Sequence, residues 1–147
     1  MPVHNEAHSL PTLYQELTAA LKGDYELLFV DDGSRDHSFA VLQELAKKDQ
    51  HVRIIKLLSN YGQSTALAAG IEHAQGENIV TMDSDLQHDP QDISILLEPL
   101  TKGYHVVCGW RKHRGDSDSF FKKTIHSKIA NSMINNITGL KLHDTTG

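Results

Sequence analysis

Tyr25-Glu26-Leu27-Leu28-Phe29-Val30-Asp31-Asp32-Gly33-Ser34 is the stretch whose reading decides the fold. A short apolar run from Leu27 to Val30 stops abruptly at Asp31-Asp32-Gly33-Ser34. Such a run, bounded by residues that favour turns, reads as a buried strand followed by a turn.

Working outward, the same unit recurs. Val52-Arg53-Ile54-Ile55-Lys56-Leu57 reads as a strand, Asn78-Ile79-Val80-Thr81-Met82 as another ending at Asp83, and Tyr104-His105-Val106-Val107-Cys108-Gly109 as a fourth. Helical spacing falls between these segments. Leu13, Leu17, Ala20 and Leu21 share one face, and Phe39, Leu42, Leu45 and Ala46 share another. Ala66, Leu67, Gly70, Ile71 and Ala74 mark a third helix, with Gly76 expected as its C-cap. Asp89-Pro90 starts a fourth, with aspartate as N-cap and proline at the first helical position. Ile93, Leu96 and Leu97 form its stripe, and Pro99 should end or kink it. Strands alternating with helices predict an α/β fold, a Rossmann-like and mostly parallel sheet with helices on both faces.

Bulk properties narrow the function. The chain has 147 residues, 39% hydrophobic and 22% charged, which suits one ordinary globular domain with a core of its own. A net charge of -5 argues against nucleic acid as a partner, since tracking phosphates needs a basic excess. The single cysteine, Cys108, excludes an internal disulfide and lies in an apolar run, so it is expected to be a small buried hydrophobe. No apolar run approaches the ~20 residues of a membrane span, and no signal peptide precedes the first strand.

The first strand has only Met1 to Val3 to draw on, and a further strand starting at Leu140-Lys141-Leu142 stops soon after. Both edges read as cuts through a larger protein, so residues 1–147 are expected to be one catalytic domain truncated at both ends. Near the C-terminus, Phe121, Ile125, Ile129, Met133 and Ile137 recur every fourth residue. A helix packed on the sheet is the favoured reading. A helix at a membrane interface is the alternative, supported by the preceding Arg111-Lys112-His113-Arg114.

In a parallel sheet, ligands bind beyond the carboxyl ends of the strands. Two acidic clusters fall there: Asp31-Asp32 and Asp83-Ser84-Asp85. Residues i and i+2 of an extended chain point to one side. Asp83 and Asp85 can therefore grip one cation while Ser84 points away. Oxygen ligands favour Mg2+ or Mn2+, and magnesium is usually completed by substrate phosphates. Gln87 can add a carbonyl oxygen or a bound water. An isolated D-x-D triplet is more often a surface loop; the strand before it and the helix start after it raise its weight. Asp89 is better explained as a cap than as a ligand.

Asp32 is the candidate for contact with a base or ribose, and Glu6 could join it from the end of the first strand; their bland readings are a turn aspartate and a solvated loop acid. Arg111 follows the fourth strand, where a guanidinium can pair with a diphosphate or simply be solvated. Asp144 is a turn residue or a contributor to the site. The ten histidines show no zinc spacing, and neither a P-loop nor a G-x-G-x-x-G is present.

Taken together, these segments resemble the family 2 glycosyltransferases of the GT-A fold, in the branch that includes dolichol-phosphate mannosyltransferases and undecaprenyl-phosphate glycosyltransferases. The resemblance rests on Pro2-Val3-His4-Asn5-Glu6, Val30-Asp31-Asp32-Gly33-Ser34, Asn60-Tyr61-Gly62-Gln63 with Ala66-Leu67-Ala68-Ala69-Gly70, and Met82-Asp83-Ser84-Asp85-Leu86-Gln87-His88-Asp89-Pro90. Gly109-Trp110-Arg111-Lys112 with Arg114 and Asp116, and Asp144-Thr145-Thr146-Gly147, extend it nearly end to end. Ser84 stands where alanine is usual, and His4 where tyrosine or phenylalanine is common.

The resemblance implies a nucleotide-sugar donor, linked to UDP or GDP, and a polyprenyl phosphate acceptor, dolichyl or undecaprenyl. It implies donor contacts at Pro2, His4, Glu6, Val30, Asp32, Asp83, Ser84 and Arg111, and a metal at Asp83, Asp85 and Gln87. It implies catalytic roles for Asp85, Arg111 and Asp144, and action at the cytoplasmic face of a membrane. An ionised phosphate acceptor needs no strong general base, because the second pKa of a phosphate ester is ~6. Direct displacement would then invert the anomeric centre. One rival is a non-catalytic nucleotide-sugar-binding fragment. Another is a nucleotidyltransferase, which would be expected to carry a Gly-rich phosphate loop.

Overall fold

The computed structural model describes residues 1–109. The chain divides into two compact units, Met1–Tyr104 and His105–Gly147, and the fold described here is that of the first. Its elements are β1 (Pro2–Val3), α1 (Leu10–Ala20), β2 (Leu27–Asp31), α2 (Ser38–Lys48), β3 (Val52–Lys56), α3 (Gln63–His73) and α4 (Ile93–Leu97). A 3-10 turn at Pro90–Asp92 leads into α4, and another at Glu98–Lys102 follows it.

The three strands form a parallel sheet in the order β1-β2-β3, with Pro2 opposite Val30 and Phe29 opposite Ile54. β2 is central and buried along its whole length, which explains its lack of polar alternation. Both crossovers step across the sheet in the same direction, so right-handed connections put α1 and α2 on the same face. The core agrees: Leu27 and Phe29 cluster with Leu10, Leu13 and Leu17 of α1 and Leu42 of α2. Full burial contributes roughly 1.5–3 kcal/mol for each such side chain. Val30, on the alternate face, meets α3 at Gly70, where an added Cβ would lie 3.3 Å from its Cγ2. The expected α/β architecture, a parallel sheet with helices on both faces, is present.

The expected strand at residues 78–82 does not form a ladder. Met1 and Val3 carbonyls accept the N–H groups of Val30 and Asp32, so the Pro2 carbonyl faces the opposite edge. Proline has no N–H to offer there. The open edge of β1 presents one acceptor and no donor at that position, and Ser84 Oγ takes the acceptor at 2.9 Å. Residues 78–82 remain beside the core without pairing, with Met82 buried in it and Val80 packed against it. A cavity of about 880 Å³ remains between this segment, α3 and the sheet, lined among others by Leu28, Ala66, Leu67, Gly70 and Ile71.

Residues 104–109 are also not a strand. Tyr104 is 64% exposed, Val106 is 78% exposed and Cys108 is exposed, so the burial that the apolar run implied is not met. The third helix ends earlier than expected, at His73, with Ala74 as C-cap rather than Gly76. Tertiary contacts close it instead: Arg53 donates to the His73 carbonyl at 3.2 Å, and Glu26 accepts the N–H groups of Gln75 and Gly76. The start of the fourth helical segment is as expected, since Asp89 Oδ1 accepts the Gln91 N–H at 2.9 Å and Pro90 opens the turn.

Candidate functional site

The loops leaving β1, β2 and β3 at the carboxyl edge of the sheet are bonded into one surface. Asn5, in the left-handed region at φ 59°, donates its N–H to Ser34 Oγ and accepts the Arg35 N–H at 2.8 Å. Glu6 donates its N–H to Ser38 Oγ at 2.7 Å, and Ala7 donates to Asp36. The β1–α1 loop is therefore fixed to the β2–α2 loop through backbone amides.

Asp32 joins the third loop. It is 2% exposed, and its two carboxylate oxygens accept the N–H groups of Tyr61 at 2.7 Å and Gly62 at 2.8 Å. These amides lie at the N-terminus of α3, where a negative group is favoured. Gly33 makes the close approach possible: a Cβ there would lie 2.4 Å from the Ser59 carbonyl carbon. Asp31, fully buried, accepts the Ser34 N–H on Oδ1, while its Oδ2 has no hydrogen-bond partner among the described residues.

His4 is exposed at the centre of this surface. Its Nδ1 lies 2.8 Å from the Asp32 carbonyl, which can only accept, so Nδ1 carries the proton of that bond. Nε2 is then the acceptor for the side-chain amides of Asn5 and Asn60, each at 3.0 Å. Glu6 is partly buried, and one of its carboxylate oxygens accepts Ser9 Oγ at 2.6 Å beside the start of α1.

The carboxylate run lies next to the open edge of β1. Ser84 is 4% exposed and bonded to the Pro2 carbonyl. Asp83 is half-buried and Asp85 exposed, so the serine turns inward between two outward neighbours. Asp83 Oδ1 accepts Gln63 Nε2 at 2.6 Å. Asp85 Oδ1 accepts the Gln87 N–H at 3.1 Å, across a bend in which Leu86 takes φ 63°. The second oxygen of each aspartate has no hydrogen bond among the described residues. Two carboxylates with an oxygen each to spare fit a hard cation that draws its other ligands from a diphosphate. A groove of about 760 Å³ adjoins this run, between Leu86, Gln87 and Pro90 on one wall and Glu16, Ala19 and Lys22 on the other.

The structure places several of the expected site residues. Val30 is fully buried, with its side chain over Gly70 and its N–H on the Met1 carbonyl, beneath the loop surface. Asp32 spends both oxygens on backbone amides and acts as a clamp between loops. Arg111 and Asp144 lie outside the described residues. Asn5, Asn60 and Gln63 were not singled out as site residues, although all three stood in motifs that carry the family resemblance. Neutral amides carry no charge signal, and only folding places them against His4 and Asp83.

A parallel sheet with a fused loop surface and a carboxylate pair beside it defines an α/β domain whose ligand side is expected beyond the carboxyl ends of the strands. The model of glycosyl transferase family 2 matches residues 1–147, and the chain belongs to that family. Its curated relatives include proteins named undecaprenyl-phosphate 4-deoxy-4-formamido-L-arabinose transferase. The one from Proteus mirabilis (strain HI4320) is 43% identical over 98% of this chain and 44% of its own length. That of Photorhabdus laumondii is 42% identical over 98% of this chain and 45% of its own length. That of Enterobacter sp. (strain 638) is 41% identical over 98% and 44%. The chain thus spans less than half the length of these relatives.

Proposed function

We propose that this chain carries the donor-binding part of a metal-dependent, inverting glycosyltransferase that passes a sugar from a nucleotide sugar to a polyprenyl phosphate. The observation that carries the reading is the pair Asp83 and Asp85, each with an oxygen to spare, beside the fused loop surface of a family 2 chain. The names of its relatives favour undecaprenyl phosphate as acceptor and a formamido-arabinose as cargo.

Asp83 and Asp85 would hold Mg2+ or Mn2+, with Gln87 at its margin. A cation held there would supply positive charge against a departing diphosphate. His4, Asn5 and Asn60 line the surface for the nucleoside, and Arg111 pairs with the diphosphate. An oxygen of the acceptor phosphate forms the new bond to the anomeric carbon as the bond to the nucleoside diphosphate breaks. The electron pair leaves with the diphosphate, and the ionised acceptor needs no proton removed. Asp144 serves the acceptor side. Such a protein works at the cytoplasmic face of a membrane; among the described residues no helix is long and apolar enough to cross one.

The fraction of the relatives' length that the chain covers supports one other reading, a fragment that binds the donor without turnover. Titration with UDP- and GDP-sugars with and without Mn2+, followed by transfer to undecaprenyl phosphate, separates them. Metal-dependent binding and a product of inverted configuration are expected. Binding without product selects the fragment, and a product that retains the donor's configuration rejects the inverting mechanism.

A further inference from the structure

We propose that Gln63 is a positioning residue for metal binding, orienting Asp83 so that one chosen oxygen faces the cation. The inference rests on the reading of Asp83 as a metal ligand given above. Gln63 Nε2 donates to Asp83 Oδ1 at 2.6 Å, across 20 residues of sequence. That bond occupies one carboxylate oxygen and favours one orientation of the group, leaving Oδ2 with no hydrogen bond among the described residues. Partners of this kind, which touch a ligand rather than the metal, typically change metal affinity about 10–100-fold when removed.

The placement of Gln63 is itself fixed. It is the first residue of α3, directly after Gly62, whose N–H is held by Asp32 at 2.8 Å. Gly62 takes φ 93°, which turns the chain into the helix at that point. Asp83 has no comparable support from a ladder, because residues 78–82 do not pair with β1. Ser84 ties the run to Pro2 on one side, and Gln63 ties Asp83 to α3 on the other. Asp83 is therefore tied through Gln63 to the loop that also carries Asn60 and is held by Asp32, which links the nucleoside side to the metal side.

The test is Mn2+ binding by the whole chain with saturating UDP or GDP, read by water-proton relaxation, a signal that does not depend on turnover. Gln63→Met keeps the bulk of the side chain and removes the donor; Gln63→Ala is the second variant. Both should raise the Mn2+ concentration for half-maximal relaxation about 10-fold or more, with an unchanged urea midpoint in metal-free buffer. Unchanged Mn2+ affinity in a folded Gln63→Met chain overturns the inference and leaves the metal reading intact. Failure of the unaltered chain to bind Mn2+, matched by an equally silent Asp85→Asn control, overturns the metal reading and this inference with it.

Discussion

Asp32 and Gly62, 30 residues apart in sequence, are joined by a 2.8 Å hydrogen bond from the Gly62 N–H to the buried Asp32 carboxylate. The second oxygen of the same carboxylate holds Tyr61 at 2.7 Å. One side chain thereby ties the end of β2 to the start of α3, and the two loops form a single surface.

Asp32→Asn tests this clamp. Asparagine keeps one acceptor and turns an NH2 group toward a backbone N–H, so one part-buried amide loses its bond to this side chain. A hydrogen bond to a charged group contributes about 1.5–3 kcal/mol, and an unsatisfied buried donor costs about 1–3. The urea midpoint should fall by the equivalent of about 2–3 kcal/mol. A loss below about 0.5 kcal/mol, the range of ordinary surface changes, would show that Asp32 does not bear on the loop.

Two glycines should respond differently to the same substitution. Gly23 takes φ +86° with nothing within 4 Å of an added Cβ, so Gly23→Ala meets only the left-handed penalty of about 1–2 kcal/mol. Gly33 takes φ +63° with Ser59 and Asn60 backbone atoms at 2.4 and 2.6 Å from that Cβ. Gly33→Ala should cost clearly more, about 3 kcal/mol or above, and should separate the loops. Equal thermal midpoints for the two variants would contradict the packing at Gly33.

Ser84→Ala probes the contact between the carboxylate run and β1. It removes the Ser84 Oγ bond to the Pro2 carbonyl and leaves that carbonyl at an open edge. The expected cost is about 1 kcal/mol, the net contribution of one neutral hydrogen bond. Mn2+ affinity should change little, since Ser84 faces away from the carboxylates. A large loss of Mn2+ affinity would place Ser84 among the groups that shape the metal site.

Acid should loosen both ends of the sheet. Burial pushes the Glu26 carboxyl up, but the Gln75 N–H, Arg53 and the Gly76 N–H outweigh it, so it sits below the usual glutamate range. For Asp36 the upward push of burial is likewise outweighed, by Ser38 and the Ala7 N–H. A carboxyl lowered in the folded state contributes stability that is present above its unfolded pKa and lost as pH falls through the folded one. Urea midpoints should therefore decline between about pH 5 and pH 2. Glu26→Gln should flatten part of that decline. An unchanged slope would remove Glu26 from the account.

How much of this was legible in advance can be followed through particular residues. The helices announced themselves because Leu10, Leu13, Leu17 and Leu42 carry the core, and helical spacing is a local property. Asp89 as a cap was equally local. The strand at residues 78–82 was misread because its apolar composition says nothing about whether a partner edge can hydrogen-bond. Pro2 decides that, from 76 or more positions away, by lacking an N–H. Asp32 was expected to contact a base or ribose, and nothing local announced that its carboxylate would also accept the amides of Tyr61 and Gly62.

The sequence by itself determined the α/β class, the helix faces, the family and the position of Asp83 and Asp85 after an apolar segment. Each is written in nearest-neighbour chemistry or in contiguous motifs. Only the tertiary structure decided that Asp32 is a clamp, that Gly33 is a point of contact, that His4 is held by two amides, and that Gln63 reaches Asp83. Those outcomes depend on which distant donors and acceptors meet across a few ångströms, and no local pattern encodes that meeting.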